Sequence, residues 1–373
     1  MVTVIDAETR REHFRREALE WLTASVPSEW RENRGALNEE DETRLRSLWD
    51  RLLHAGGYAG LSLPTEYGGQ GLGLEEEVIF HELAARVQAP DGLGRIGKIL
   101  AAPTLIALGT EQQRARYLPK ILSGEHVWCQ GFSEPGAGSD LASVSTTATK
   151  TEGGYLIRGT KIWTSFSKHA QKCLLLAKTD PDGPRHHNLT FFLLDMQQPG
   201  VRIEPIRQMS GNAHFSETHL DDAFVSDDDV LGRENEGWTV TMTVLANERG
   251  IVEGITRYIE IRSDVDLLLT CCAVGDERVP RLDARTEVVR WQVNKAVAQA
   301  EDEVQSLRSS AVLKVWWSEL WQQVTNLGST VDCSKHREHW RHQYLESRSS
   351  SIYSGTSEIQ RNIVAERVLG LPR

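Results

Sequence analysis

The chain has 373 residues, of which 39% are hydrophobic and 25% charged, a composition typical of globular proteins with an ordinary core. This length predicts two or three subdomains. The formal net charge of −11 argues against nucleic acid as the main partner, because phosphate binding normally requires a basic face. The five cysteines are irregularly spaced and predict neither a disulfide framework nor a zinc site, which favours a reducing compartment.

No apolar segment of the N-terminus is typical of a signal peptide. No stretch approaches the ~20 apolar residues of a membrane-spanning helix. We therefore expect a cytoplasmic protein that has no membrane partner.

Residues 1–125 are predicted to form an N-terminal helical domain. Charged and apolar residues recur at helical spacing in three segments, Arg10 to Ala24, Glu42 to Leu53 and Leu74 to Val87. A Gly- and Pro-rich break, Leu63 to Gly71, precedes the third segment.

Residues 126–232 are predicted to form an antiparallel β-domain, because their short apolar runs are bounded by turn residues. The strand-like runs are Tyr155 to Gly159, Lys161 to Ser165, Cys173 to Ala177 and Leu189 to Leu194. We expect a tight turn between the first two runs and a loop, Asp180 to Pro184, between the last two.

Residues 233–373 return to long helices and are predicted to form a C-terminal bundle. Arg285 to Arg308 contains no Gly or Pro and predicts one helix, and Ala311 to Val324 continues in the same style. The helix–sheet–helix order predicts an α+β, mainly α fold with two helical layers around a β insert.

Four segments carry residues suited to chemistry. In Phe132 to Asp140, the Gly, Pro and Ser residues would let a ligand approach the backbone closely, although an ordinary glycine-rich loop has the same composition. In Lys161 to Ser165, Trp163 could cover an aromatic cofactor, or it could be a core residue of the sheet. Asn247 to Arg249 offers a general base or a solvated ion pair. Ile352 to Gln360 offers free N–H donors or a simple helix cap.

Taken together, these segments resemble the acyl-CoA dehydrogenase family. The similarity lies in Glu134 to Asp140, Lys161 to Ser165, Tyr353 to Gln360 and the Pro64 to Gly71 stretch, and it extends from about residue 10 to residue 373. It implies an N-terminal helical domain, a middle β-domain and a C-terminal four-helix bundle.

The resemblance also implies an FAD site. Phe132 and Ser133 would contact the flavin pyrimidine edge, Trp163 would pack beside the isoalloxazine, and Ser165 would bond near the flavin N5. Ser139 would meet both cofactor and the substrate's pantetheine arm. Thr356 and Glu358 would contact the FAD pyrophosphate region, where Glu358 replaces a common Gln.

The catalytic base departs from the commonest family pattern. Many members carry a catalytic Glu at the position of Ser354, in a Tyr-Glu-Gly-Thr sequence, and a Ser cannot act as that base. A branch of the family takes its base from the position that matches Glu248, so the resemblance assigns the base to Glu248. It also assigns Arg249, Ser354 and Gly355 to the substrate site, where the Ser354 N–H would stabilise the thioester carbonyl oxygen.

The expected function is α,β-dehydrogenation of an acyl-CoA or acyl-carrier-protein thioester, with electrons passed to an electron-transfer flavoprotein. The family's Arg-x-x-Phe-Gly segment is missing, and Arg278 or Arg281 is the candidate replacement. We expect a homodimer or homotetramer, or else a heteromer. Two alternatives stay open: an oxygen-using flavoprotein, either oxidase or monooxygenase, and a non-catalytic partner subunit.

Overall fold

A computed structural model describes residues 7–33, 37–248, 251–272, 276–299 and 303–372, and for residues 7, 248 and 303–307 it describes the backbone alone. The described residues divide into two compact units. The first unit draws on segments 1–24, 73–89 and 249–373, and the second on segments 25–72 and 90–248. The domain limits predicted from the sequence, after residues 125 and 232, remain a prediction.

Helices account for most of the described secondary structure. In chain order they are α1 (Ala7–Ser25), α2 (Ser28–Asn33), α3 (Glu39–Ala55), α4 (Leu74–Arg86), α5 (Ala102–Leu108), α6 (Glu111–Ser123), α7 (Gly237–Glu248), α8 (Ile251–Cys271), α9 (Arg278–Ala298), α10 (Glu303–Thr330), α11 (Arg337–Ser347) and α12 (Ser357–Ile363). The predicted helical segments of the N-terminal region correspond to α1, α3 and α4. No helix in the described ranges is long and apolar enough to cross a bilayer.

The first unit is a helical bundle that contains α1, α4 and the helices from α8 onward. Its core contains Val265 of α8, Val293 of α9 and Trp317 of α10, all at most 2% exposed. These helices pack because each has one apolar face, and burial of such faces is the main source of their stability.

The helix predicted from Arg285 to Arg308 is wrong as a single element. The helix α9 ends at Ala298, where the Gln299 N–H bonds to the carbonyls of Ala296 and Val297, and α10 begins at Glu303. No Gly or Pro marks this break. Local helical preference is a weak prior beside tertiary contacts, and α9 packs against α10.

The cysteine prediction is also corrected in this unit. Cys271, at the end of α8, and Cys333, beyond the end of α10, form a disulfide with a Cα–Cα distance of 5.5 Å. The two cysteines are 62 residues apart in the chain. Their proximity depends on the packing of α8 against α10, which cysteine spacing alone does not reveal.

The second unit is centred on an eight-stranded sheet. The strands are β1 (Trp128–Gly131), β2 (Thr147–Thr151), β3 (Gly154–Ser165), β4 (Lys172–Lys178), β5 (Leu189–Asp195), β6 (Val201–Ile206), β7 (Phe215–Ser226) and β8 (Val230–Leu231). Their order is β6-β7-β3-β2-β4-β5-β8, with β1 beside β4. Most pairs are antiparallel, as predicted, but β4 pairs in parallel with β1 and β2. The helix α7 packs on this sheet through Val240 and Val244.

The tight turn predicted near Gly159 does not form, and both flanking runs belong to the single strand β3. Instead the register of β3 against β7 shifts between Ile157 and Gly159. Gly159 has a φ of +152°, and a Cβ atom there would lie 2.4 Å from Thr146 Oγ1. The glycine therefore permits an irregularity within a continuous strand rather than a reversal of the chain.

Candidate active site

A β-bulge presents Trp163 at the end of β3. Ile162 and Trp163 together face the single residue Glu217 of β7, and Trp163 has a φ of +60°. Trp163 is 53% exposed, and its indole meets the Phe215 ring edge-on at 6.2 Å. Bulges commonly re-aim a side chain next to an active site. The alternative reading of Trp163 as a core residue is therefore wrong.

The glycine-rich loop lies beside this bulge. The Ile162 N–H donates a hydrogen bond to the Ser133 carbonyl at 2.9 Å, so the loop and the strand that carries Trp163 are directly joined. Ser133 and Ser165 are half-buried, whereas Ser139 is exposed. Phe132 is 6% exposed, and its ring packs edge-on against Phe191 at 5.7 Å.

Two glycines of this loop fit the flavin that the resemblance implies. A Cβ atom at Gly136 or Gly138 would meet nothing within 4 Å, and neither residue has a positive φ. Within the described residues, neither sterics nor backbone conformation therefore requires glycine at these positions. A ligand lying close against the backbone would explain both. The loop composition thus fits a bound cofactor.

The Ser354–Gly355 segment has an unusual backbone. Ser354 has a φ of +53° and Gly355 a φ of +87°, and the Gln360 amide donates to the Ser354 carbonyl at 3.0 Å. Left-handed residues other than glycine carry strain and concentrate at functional sites. Thr356 caps α12, because its Oγ1 accepts the Ile359 N–H at 3.2 Å.

Glu358 lies exposed in the first turn of α12. The predicted base, Glu248, is the last residue of α7, and Arg249 lies outside the described residues. Arg278 binds Asp276 through Nε at 2.9 Å and Nη2 at 2.6 Å, and Arg281 is exposed on α9. These observations support a role in cofactor binding for neither Arg278 nor Arg281.

Lys161 and Glu134 lie within the sequence motifs, but the sequence alone predicts no role for either residue. The structure joins them in an ion pair, Nζ to Oε1 at 2.8 Å, with side chains 1% and 3% exposed. Burial alone would raise the pKa of Glu134, but the Lys161 charge and bonds from Ser145 and Thr146 lower this pKa to about 2. Burial lowers the pKa of Lys161, and Glu134 opposes that change. A lysine within a buried strand is the signal that could have revealed the pair.

The Glu134 pKa predicts an acid-dependent loss of stability. A folded pKa of about 2 against an ordinary 4.5 means that the ionised carboxylate, relative to its protonated form, stabilises the fold above pH 4.5. That contribution disappears as the pH falls from 4.5 toward 2. We expect Glu134→Gln to be less stable than the unsubstituted protein at pH 6, by a margin that shrinks below pH 4.5. Urea unfolding at several pH values measures the margin, and a constant margin would contradict the assignment.

Three family models cover almost the whole chain. Residues 8–125 match the acyl-CoA dehydrogenase N-terminal domain, residues 129–223 the middle domain and residues 235–369 the C-terminal domain. These matches account for the helix–sheet–helix order of the described elements.

Individual relatives agree with the family models. Acyl-CoA dehydrogenase IpdE1 of Mycobacterium tuberculosis (strain ATCC 25618 / H37Rv) is 38% identical, over 97% of this chain and 98% of that protein. The solved structure of the Tcur3481-Tcur3483 steroid ACAD is 26% identical, with a TM-score of 0.83 over 98% of both chains. The ChsE4-ChsE5 complex from Mycobacterium tuberculosis is 26% identical, with a TM-score of 0.81 over 99% of both chains.

The helix–sheet–helix order and the three family matches define an oxidoreductase of the flavoprotein class. The chain belongs to the acyl-CoA dehydrogenase family. It is an enzyme of lipid metabolism, an acyl-CoA dehydrogenase.

Proposed function

We propose that this enzyme oxidises an acyl-CoA thioester to the trans-2-enoyl thioester with FAD as its cofactor, and passes the electrons to an electron-transfer flavoprotein. The observation that carries the proposal is the direct bond from Ile162 to Ser133. It joins the two segments, the glycine loop and the bulged strand, that the family uses to hold flavin. The family match over the whole chain supports the same reaction.

The residues that would hold FAD lie in the glycine loop, in β3 and at the start of α12. Ser133, Trp163 and Ser165 would contact the flavin ring system, and Phe132 would contribute its backbone. Ser139 would bind both the cofactor and the pantetheine arm, while Thr356 and Glu358 would contact the pyrophosphate region. When bound, FAD would supply the acceptor for the hydride that leaves the substrate β carbon.

The chain itself must move the α proton. A thioester α proton is only weakly acidic, so a carboxylate base and stabilisation of the carbonyl oxygen are both needed. We assign the base to Glu248 and the oxygen-binding N–H groups to Ser354 and Gly355. Ser354 and Gly355 both have positive φ angles, and such strained backbone concentrates at functional sites. Arg249 is assigned to the walls of the substrate site.

The substrate class is inferred from the relatives. One solved relative is described as a steroid ACAD, and we infer that this enzyme accepts a bulky, ring-bearing acyl group rather than a simple straight chain. CoA is preferred to acyl carrier protein as the thioester carrier because the curated relatives are named as acyl-CoA dehydrogenases.

The assembly is inferred in the same way. A structural relative is described as a complex of two chains, ChsE4 and ChsE5. We infer that this chain is the base-bearing subunit of a heteromer, with a homodimer or homotetramer as the alternative. The Glu248 carboxylate favours a catalytic subunit over a non-catalytic partner.

The proposal is tested by anaerobic titration of the purified protein with straight-chain, branched and steroid-side-chain CoA thioesters, following the oxidised flavin band. We expect the steroid-side-chain thioester to bleach the band and the enoyl product to appear. Reoxidation by an electron-transfer flavoprotein, compared with reoxidation by oxygen, then identifies the acceptor.

The other outcomes discriminate the alternatives. Rapid reoxidation by oxygen would favour an oxidase or monooxygenase. A bound flavin that none of the thioesters bleaches would argue against the CoA substrate, and a protein without flavin would favour the non-catalytic subunit.

A further inference from the structure

The ion pair between Lys161 and Glu134 is one part of a larger polar connection. Lys161 Nζ also donates to the Phe132 carbonyl at 3.2 Å, and the next residue of β3, Ile162, donates its N–H to the Ser133 carbonyl at 2.9 Å. Two successive strand residues therefore hold three successive loop residues.

Glu134 extends the connection to the far end of the glycine loop. Its Oε2 accepts both the N–H and the hydroxyl of Ser145 at 2.6 Å, and its Oε1 accepts the Thr146 N–H at 2.9 Å. The backbones of Glu134 and Ala137 exchange two hydrogen bonds, at 2.8 and 3.0 Å. Glu134 thus holds the turn through Gly136 with its backbone, and it holds the segment just before β2 with its carboxylate.

A buried ion pair such as Lys161–Glu134 is an unusual way to stabilise a fold. Apolar residues of similar volume often stabilise a fold as well as a buried ion pair does, because both charges must leave water. The ion pair differs from apolar residues because its hydrogen bonds are directional. Hydrogen bonds fix the loop at one register against β3, whereas apolar contacts tolerate small shifts.

We propose that Lys161 and Glu134 are positioning residues that lock the Phe132–Ser133 segment to the bulged strand carrying Trp163 and Ser165. The inference rests on the proposed flavin-dependent function, because these are the segments assigned to flavin contact. Because both side chains are almost completely buried, the pair would act through these two segments rather than by direct contact. It holds the flavin-contacting residues of both segments in one fixed arrangement before FAD binds.

The test compares Lys161→Met with a matched control, Lys172→Met. Lys172 lies on β4, is equally part of the sheet and has a side chain 8% exposed, with Nζ 3.1 Å from Asp195 Oδ2. Apoprotein of each variant is titrated with FAD by flavin fluorescence. We expect Lys161→Met to weaken FAD binding at least about 10-fold and to alter the shape of the bound flavin's absorbance band. Lys172→Met should do neither, whatever its effect on thermal stability.

A second readout needs no cofactor. In the apoprotein, hydrogen exchange of the Ile162 amide should accelerate in Lys161→Met and stay unchanged in Lys172→Met, because the Ser133 carbonyl is no longer held in place. If Lys161→Met does not fold, Ser145→Ala removes only one bond to Glu134. We expect this variant to fold, with a several-fold weaker FAD affinity and faster Ile162 exchange.

Unchanged FAD affinity and unchanged Ile162 exchange in either folded variant would overturn the positioning role while leaving the proposed function intact. Failure of the unsubstituted protein to bind FAD would instead overturn the proposed function, and with it this inference. Equal losses in the Lys161 and Lys172 variants would reduce the pair to a general contribution to stability and would also overturn the proposal.

Discussion

Replacing Glu248 by Gln is expected to lower kcat by about 10³-fold and to leave FAD bound. The amide has almost the same size as the carboxylate but cannot accept the α proton, and a positioned general base contributes roughly 10²–10⁴-fold to such a reaction. Because Ser354 stands where many relatives carry their base, no second carboxylate at that position can compensate. Single-turnover flavin bleaching with the preferred thioester measures the effect directly.

The control for this variant is Glu236→Gln. Glu236 is exposed and directly precedes α7, so it tests whether loss of one negative charge near this helix matters. We expect its bleaching rate to stay within about twofold of the unsubstituted enzyme, as for most exposed sites remote from a functional feature. Bleaching by Glu248→Gln at a comparable rate would remove Glu248 from the role of base.

The second large effect is expected from Gly138→Val. A Cβ atom at Gly138 meets nothing of the described chain within 4 Å, so the substitution should leave the melting temperature unchanged. If the loop lies close against FAD, however, the added isopropyl group will occupy space that the cofactor needs. We expect FAD affinity to fall by at least about 10-fold, equivalent to roughly 1.4 kcal/mol.

The comparison variant is Thr149→Val, which places an isopropyl group on an exposed position of β2. It should change neither FAD affinity nor stability. Equilibrium titration of the apoproteins, together with thermal unfolding, separates a lost ligand contact from a damaged fold. Unaltered FAD binding by Gly138→Val would mean that the cofactor does not approach this part of the loop.

Local sequence patterns were sufficient for elements whose stability is set by one apolar face. The helical spacing of Glu42 to Leu53 predicted most of α3 (Glu39–Ala55), and the apolar run Leu189 to Leu194 predicted β5. Such periodicity reflects burial of one side of a helix or of a whole strand, which neighbouring residues encode. The motifs likewise led to the family, because each one is a short run of consecutive residues that can be recognised without the fold.

Contacts between distant residues were beyond these patterns. The continuation of β3 through Gly159 depends on its pairing with β7. The helix α9 ends at Ala298 although no Gly or Pro follows it, and the Cys271–Cys333 disulfide depends on packing of α8 against α10. For the strand and for the disulfide, the deciding partner is far along the chain, and its contribution outweighs the local preference.

The sequence by itself determined the fold class, the family and the residue types available for flavin and thioester chemistry. Only the tertiary structure decided how Trp163 is presented and what holds the glycine loop beside it. A bulge requires a neighbouring strand with which the register can shift, and Lys161 becomes an interaction only when Glu134, 27 residues earlier, is buried within 2.8 Å of it. Burial makes that pair obligatory, because neither charge can remain in the core alone.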